Sequence, residues 1–277
     1  MRWNVLSYRS GEGGQQMALL RQLSGERRRT ALHWVMELVI VVAGVLIAMW
    51  LQQWVEQRHA IATMHSAEDA VHDEIRETLK SLVWREAIRQ CHLDRANRLK
   101  AGLIGKSEDW PGLDEGTLTA RSPGGRFAAP TVFPSVYTRP VDIFTDSAWT
   151  SALSTGALAP MDRTRFGKLV SIYDQIRLLQ RTADLEDRAA SRLSALAFPM
   201  RLTPQTRIEL LQALYDLDRT RFVFSVWGPE NLAGQMRDLG WNDKAEIDRW
   251  MADDAADDRK NGLVWRPCVA NPKNPFS

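Results

Sequence analysis

"HWVMELVIVVAGVLIAMWLQQWVEQR", His33 to Arg58, is the stretch on which the reading of the fold turns. From Leu38 to Leu51 no polar side chain interrupts the run. With Trp34, Val35 and Met36 before it and Trp54 and Val55 after it, the stretch reaches the roughly 20 residues that cross a hydrocarbon core of about 30 Å. Only Glu37, Gln52 and Gln53 break the apolar surface. Trp34 stands at one end and Trp50 with Trp54 at the other, where amphipathic indole rings settle at headgroup level. A transmembrane helix over 33–55 is expected. A fully buried helix of a soluble protein would need a comparable apolar partner around it, and the chain has none.

A cleaved signal peptide has a shorter apolar core and ends at a small-residue exit. Here the run passes directly into "LQQWVEQR", a polar, helix-favouring sequence, so the span reads as an uncleaved anchor. Arg27, Arg28 and Arg29, with Arg21, crowd its entrance, whereas Arg58 is alone among the first twenty or so residues on the far side. By the positive-inside rule the amino terminus is cytoplasmic and the carboxyl-terminal bulk is outside the inner membrane, in the periplasm.

Charge agrees with that division. Up to His33 there are six Arg against two acids, net +4, so of the overall +2 the remainder carries −2. A nucleic-acid-binding domain would show a basic stripe in its folded part, and none is expected here. Cys91 and Cys268, the two cysteines, both fall on the outer side, where oxidation is permitted. A disulfide between them and two separate thiols are both open readings. If they pair, loop-entropy arguments put the gain at about 5 kcal/mol, less any native strain.

Residues 1–32 form a cytoplasmic segment expected to be partly disordered, because Met1 to Gln16 contains "GEGGQQ" and no apolar period. Met17 opens "MALLRQLSGERRR", a compact lead-in and a second candidate translation start. Beyond the membrane, apolar residues from Ile61 to Leu103 recur at helical spacing with no Pro or Gly before Gly102. A membrane-proximal helix over 56–104 is expected, and unbroken from Glu56 to Leu103 it would run about 70 Å. Glu68 and Glu86 fall near its seam and spoil a heptad, which favours packing on its own domain over a two-stranded coiled coil.

Residues 105–145 dissolve into Gly, Pro and single aromatics and read as an irregular crossover, with short extended pieces. A helical bundle over 146–258 follows. Asp146 or Thr145 is placed to cap "SAWTSALSTGAL", which stops at Gly156, and Asp162 to cap a longer helix whose apolar face runs from Phe166 to Leu196. Thr203 with Pro204 starts another. Two more helices are expected, Pro229 to Leu239 and Asn242 to about Asp258, before a proline-rich tail over 259–277 that lies on the surface. The fold class is all-α: one transmembrane helix continuing into a long helix, then an extracytoplasmic helical bundle.

Candidate chemistry is sparse. Glu37 is an ionisable group inside a span, a costly placement that marks function in many membrane proteins, although at the cytoplasmic edge it can also reach water. Gly44 and Ala48 form a small-xxx-small pair that lets a second helix approach, so Glu37, Gly44 and Ala48 are the candidate helix contacts. His65, Asp69 and His72 lie on neighbouring turns, yet such a cluster reads better as a hydrated face than as a metal site. "GLIGKS" lacks the first glycine of a phosphate loop and follows a helix rather than a strand. No Gly-x-Ser-x-Gly, His-Glu-x-x-His or Cys-x-x-Cys occurs. Trp149, Tyr173, Trp227, Trp241 and Trp250 read as core at helical spacing. No catalytic residue, metal or cofactor is assigned.

"ELVIVVAGVLIAMWLQQWVEQR" resembles the amino-terminal anchor of a broad group of bacterial single-pass membrane proteins of unknown function. In that group an acidic residue opens the run, a Gly-x-x-Ile/Leu-Ala pattern follows, and Trp with charged residues closes it. Here those places are held by Glu37, Gly44, Leu46 to Ala48, Trp54 and Glu56. "SAWTSALSTGALAPMDRTRFGKLVSIYDQI" resembles the group's later segment, through Trp149, Gly156 and Tyr173, while Trp50 and Gln52-Gln53 depart from the usual ending. The resemblance implies an inner-membrane anchor with an external helical domain and no established activity. The expected partners are the lipid bilayer and either a second copy or another membrane protein, bound by a structural or interaction component. The alternative is a ligand-sensing domain that signals through a membrane partner.

Overall fold

The computed structural model describes residues 13–112, 136–137, 144–260 and 273–277, with the helix backbone alone over 13–32 and 254–260. The fold is all-α. Helix α1 runs Gly13–Ala87, α2 Arg89–Ile104, α3 Ser147–Ser154, α4 Arg163–Leu193, α5 Pro204–Phe222, α6 Gly228–Asp238 and α7 Lys244–Lys260. Two-residue strands β1 (Asp109–Trp110) and β2 (Met200–Arg201) pair antiparallel, Asp109 opposite Arg201 and Trp110 opposite Met200. The chain divides into two units, Met1–Ala62 and Thr63–Ser277.

In the first unit, α1 carries the apolar run. Among the described residues it is the one helix long and apolar enough to cross a membrane, and none of its apolar window is buried. Trp34, Glu37, Gly44, Ala48, Trp50 and Trp54 are all exposed there. Arg58 lies over the Trp54 ring at 4.0 Å. The helix already includes Gly13–Gln16, the end of the segment expected to be disordered, and 1–12 lie outside the described residues.

The second unit packs its helices around two apolar cores. One gathers Val71, Ile75, Leu79, Leu82 and Val83 of α1 with Leu169, Ile172, Tyr173, Ile176 and Leu179 of α4, joined by α3, α6 and α7 residues. The other gathers Leu99 and Leu103 of α2 with Leu193 of α4 and Leu210, Leu214 and Leu217 of α5. Each buried aliphatic chain contributes about 1.5–3 kcal/mol by leaving water. Helix α4 is long enough to serve both.

Local signals explain most boundaries. Asp162 accepts from the backbone N–H groups of Thr164 and Arg165, at 2.8 and 3.1 Å, and starts α4. Thr203 does the same for α5 through Thr206 N–H, with Pro204 in the first turn. The chain turns after α3 at Gly156, whose φ of 67° suits a residue without Cβ. Arg207 of α5 covers the end of α2, donating to the carbonyls of Leu103, Gly105 and Ser107. Trp110 lies so close to Gly102 that a Cβ there would stand 2.6 Å from the indole.

Four expectations are corrected. The membrane-proximal helix is not continuous to Leu103, because Ile88, with ψ near 1°, leaves helical geometry and separates α1 from α2. The helix expected to begin at Pro229 does not stand apart from α5, since a π turn, Val223–Trp227, joins α5 to α6 without a loop. Asp146 holds the N-cap position of α3, but neither its side chain nor that of Thr145 caps the helix. Instead Glu74, from α1, accepts from the Ala148 and Trp149 N–H groups and from Thr145, Ser147 and Tyr173 hydroxyls. Lastly, the tail does not lie wholly on the surface, for Asn274 is buried and donates to the Lys244 carbonyl and to Asp248.

Candidate functional site: a buried polar layer

Between the two cores the apolar seams of three helices are interrupted by polar side chains. On α1 and α2 the seam passes from Leu82 through Arg85, His92 and Arg95 to Leu99, and all of these are buried. On α4 it passes from Leu179 through Thr182 and Glu186 to Ala189 and Leu193. On the α5–α6 run, Thr220 and Ser225 flank Phe224. Tyr137 inserts from the crossover.

Glu186 is the hub. Its Oε2 accepts from Arg85 Nη1 at 2.8 Å, with 4 % of the Arg85 side chain and 2 % of Glu186 exposed. Its Oε1 accepts from the Tyr137 hydroxyl at 3.3 Å, and that hydroxyl stands 2.8 Å from His92 Nδ1. A hydroxyl has one proton, so donation to Glu186 leaves Tyr137 to accept from His92 and places the imidazole proton on Nδ1. The Arg85 guanidinium also lies over the Phe224 ring at 3.9 Å. Thr182 and Thr220 satisfy their hydroxyls on carbonyls of their own helices, Leu178 and Leu217.

The electrostatics keep His92 and Tyr137 uncharged at neutral pH. Burial, reinforced by the positive charges of Arg85, Arg95 and Arg221, lowers the His92 pKa to about 3. Burial and the neighbouring Glu186 carboxylate push the Tyr137 phenol up, well above its usual value. Burial pulls Arg221 down, while Asp218 pairs with it on the next helical turn. At neutral pH His92 is therefore an uncharged hydrogen-bonding group. A general base poised near pH 7 has a different environment.

Both helix irregularities fall at this level. The α1–α2 interruption at Ile88 lies between Arg85 and His92, and Ser225 belongs to the π turn. Single-turn π insertions occur disproportionately at functional positions. Sequence periodicity passed over this layer because it counted apolar residues. The legible signal was a gap: Arg85, His92 and Arg95 in one seam, with Ile88 between the first two, and Glu186 in the other, all in step with the i+3 and i+4 spacing of the apolar positions.

The residues singled out from the sequence do not assemble here. Glu37, Gly44 and Ala48 are exposed on the apolar helix, and a Cβ added at Gly44 would meet nothing within 4 Å. Arg27, Arg28 and Arg29 lie on α1 where the backbone alone is described. His72 pairs with Asp243 at 2.8 Å and stacks on Trp241 with ring centroids 4.3 Å apart, apart from exposed His65 and Asp69. Among the described residues no group of three or more His, Cys, Asp or Glu could hold a metal. Cys91 is buried and disulfide-bonded, while Cys268, the chain's other cysteine, lies outside the described residues.

Fold and site together define an all-α protein with one helix long and apolar enough to cross a membrane and a bundle divided by a charged layer. No family model, curated protein or solved structure matches the chain.

Proposed function

We propose that the protein is a single-pass inner-membrane protein with a cytoplasmic amino terminus and a periplasmic helical domain. That domain binds another membrane protein or a second copy, as a structural or interaction component without catalytic activity. The observation that carries the reading is the apolar stretch of α1, none of which is buried among the described residues and which is flanked by Trp34, Trp50 and Trp54. Arg27, Arg28 and Arg29 support the orientation through the positive-inside rule. A disulfide at Cys91 supports an oxidising compartment for the bundle. The resemblance to bacterial single-pass anchors points the same way.

Two measurements test it. Protease added to intact spheroplasts digests the bundle and spares the amino-terminal segment if the orientation is right; protection of the bundle would reverse it. Crosslinking in native membranes then yields a discrete dimer or heteromer, and a strictly solitary chain would end the interaction reading.

A second reading, a periplasmic ligand-sensing domain acting on a membrane partner, is favoured by one observation: the α1–α2 interruption and the π turn meet at the same buried layer.

A further inference from the structure

We propose that a cleft in the bundle binds a small zwitterion, an amino acid or short peptide carrying one ammonium and one carboxylate group. The cleft is bounded by the α1–α2 junction, the π turn, the start of α6 and the Lys273–Ser277 segment. Its volume is about 790 Å³, within the range of small-molecule sites. It lies wholly within the bundle and does not depend on the anchor or on its orientation.

Five charged side chains line this cleft: the acids Glu86 and Glu230, and the bases Arg89, Lys273 and Arg237. Arg237 is taken up by the Pro275 carbonyl, and none of the other four makes a hydrogen bond or an ion pair with another described residue, although Lys273 and Arg89 are near enough to act on the Glu86 carboxyl.

Glu86 carries most of the argument. It is half-buried on α1, and burial raises its carboxyl pKa, against the pull of Lys273 and Arg89 and with a further push from Glu230. A half-buried carboxylate without a hydrogen-bond donor is costly, and an ammonium group supplies both donors and charge. Arg89 and Lys273 offer the complementary site for a carboxylate.

The walls are built rather than incidental. Asn274 pins the carboxyl-terminal segment to α7 through the Lys244 carbonyl and Asp248. Arg237 of α6 donates to the Pro275 carbonyl at 2.9 Å and faces the Phe276 ring at 5.7 Å. Ser225 and Val226 of the π turn also line the cleft, which therefore draws its walls from both elements of the junction that Ser225 and Arg85 hold together.

The test is calorimetric titration of the full-length protein in detergent with each of the common L-amino acids and with glycylglycine. Ethylamine and propionate serve as single-charge controls. At least one zwitterion is expected to bind saturably, and neither control should match it. Glu86→Gln is expected to weaken binding by about tenfold or more, as loss of one charge-assisted contact does. Glu230→Gln, on an exposed residue, is expected to weaken it in the same direction. Absence of binding by every zwitterion overturns the proposal, as does binding that survives both substitutions unchanged. Circular dichroism of each variant separates loss of the site from loss of the fold.

Discussion

The hydroxyl of Ser225, in the π turn, donates to the backbone carbonyl of Arg85 at 3.2 Å, three residues before α1 leaves helical geometry at Ile88. A side chain that takes up a carbonyl of the helical ladder is one of the identifiable causes of a helix break. The two irregularities are thus one joint. Ser225→Ala is expected to cost about 1 kcal/mol. Hydrogen exchange should locate the change, with faster exchange over Arg85 to His92 and little effect in α7; uniform acceleration would mean the bond has no local role.

Glu186 is expected to be far more sensitive. Removing one partner of a buried ion pair strands the other charge, so Glu186→Ala should cost about 3–5 kcal/mol. The double variant Arg85→Met with Glu186→Leu should recover much of that loss, because two apolar chains need no compensation. Denaturant titrations of the three proteins give the answer, and a double variant as unstable as the single would mean that Tyr137 and His92, not the ion pair, set the energetics.

His92 predicts a pH dependence with a definite sign. Its folded pKa is lowered to about 3 from 6.5, so in that interval the unfolded chain binds a proton that the folded one refuses. Its contribution to stability is complete above about pH 6.5 and declines as the pH falls, by up to about 1.4 kcal/mol per pH unit. His92→Gln should flatten the profile between pH 6 and pH 4. In the parent protein the ring resonances should not titrate until far below their usual range.

How much of this was legible in the sequence depends on distance along the chain. Signals confined to a few residues read through: Asp162 and Thr203 as caps, the turn at Gly156, the apolar run after His33. Partnerships across many residues did not. Glu86 and Glu68 were visible only as charges that spoil a heptad, whereas Glu68 pairs with Arg165 of α4 and Glu86 lines a cleft. Nothing local distinguishes Ile88 as a break either, since no proline or glycine marks it; the Ser225 hydroxyl that takes up the Arg85 carbonyl lies far downstream.

Glu74 supplies a further test. Hydrogen bonds from Thr145, Tyr173, Ala148 and Ser147 outweigh burial and lower its carboxyl pKa. A lowered acid pKa stabilises the fold above the usual carboxylate range and ceases to do so as the pH falls through the depressed value. Glu74→Ala should therefore cost about 1–2 kcal/mol near neutrality, and the difference from the parent should shrink in acid. A deficit that is constant with pH would assign Glu74 a packing role instead.

The same carboxylate implies an order of assembly. Helix α3 has eight residues, too few to hold together alone in water. Its N–H groups are satisfied by a side chain that lies 73 positions earlier than the first residue of the helix. Until α1 and α4 have docked and brought Glu74 and Tyr173 to the same place, α3 has no reason to form. It is expected to fold late, as an element that records whether the earlier ones have met.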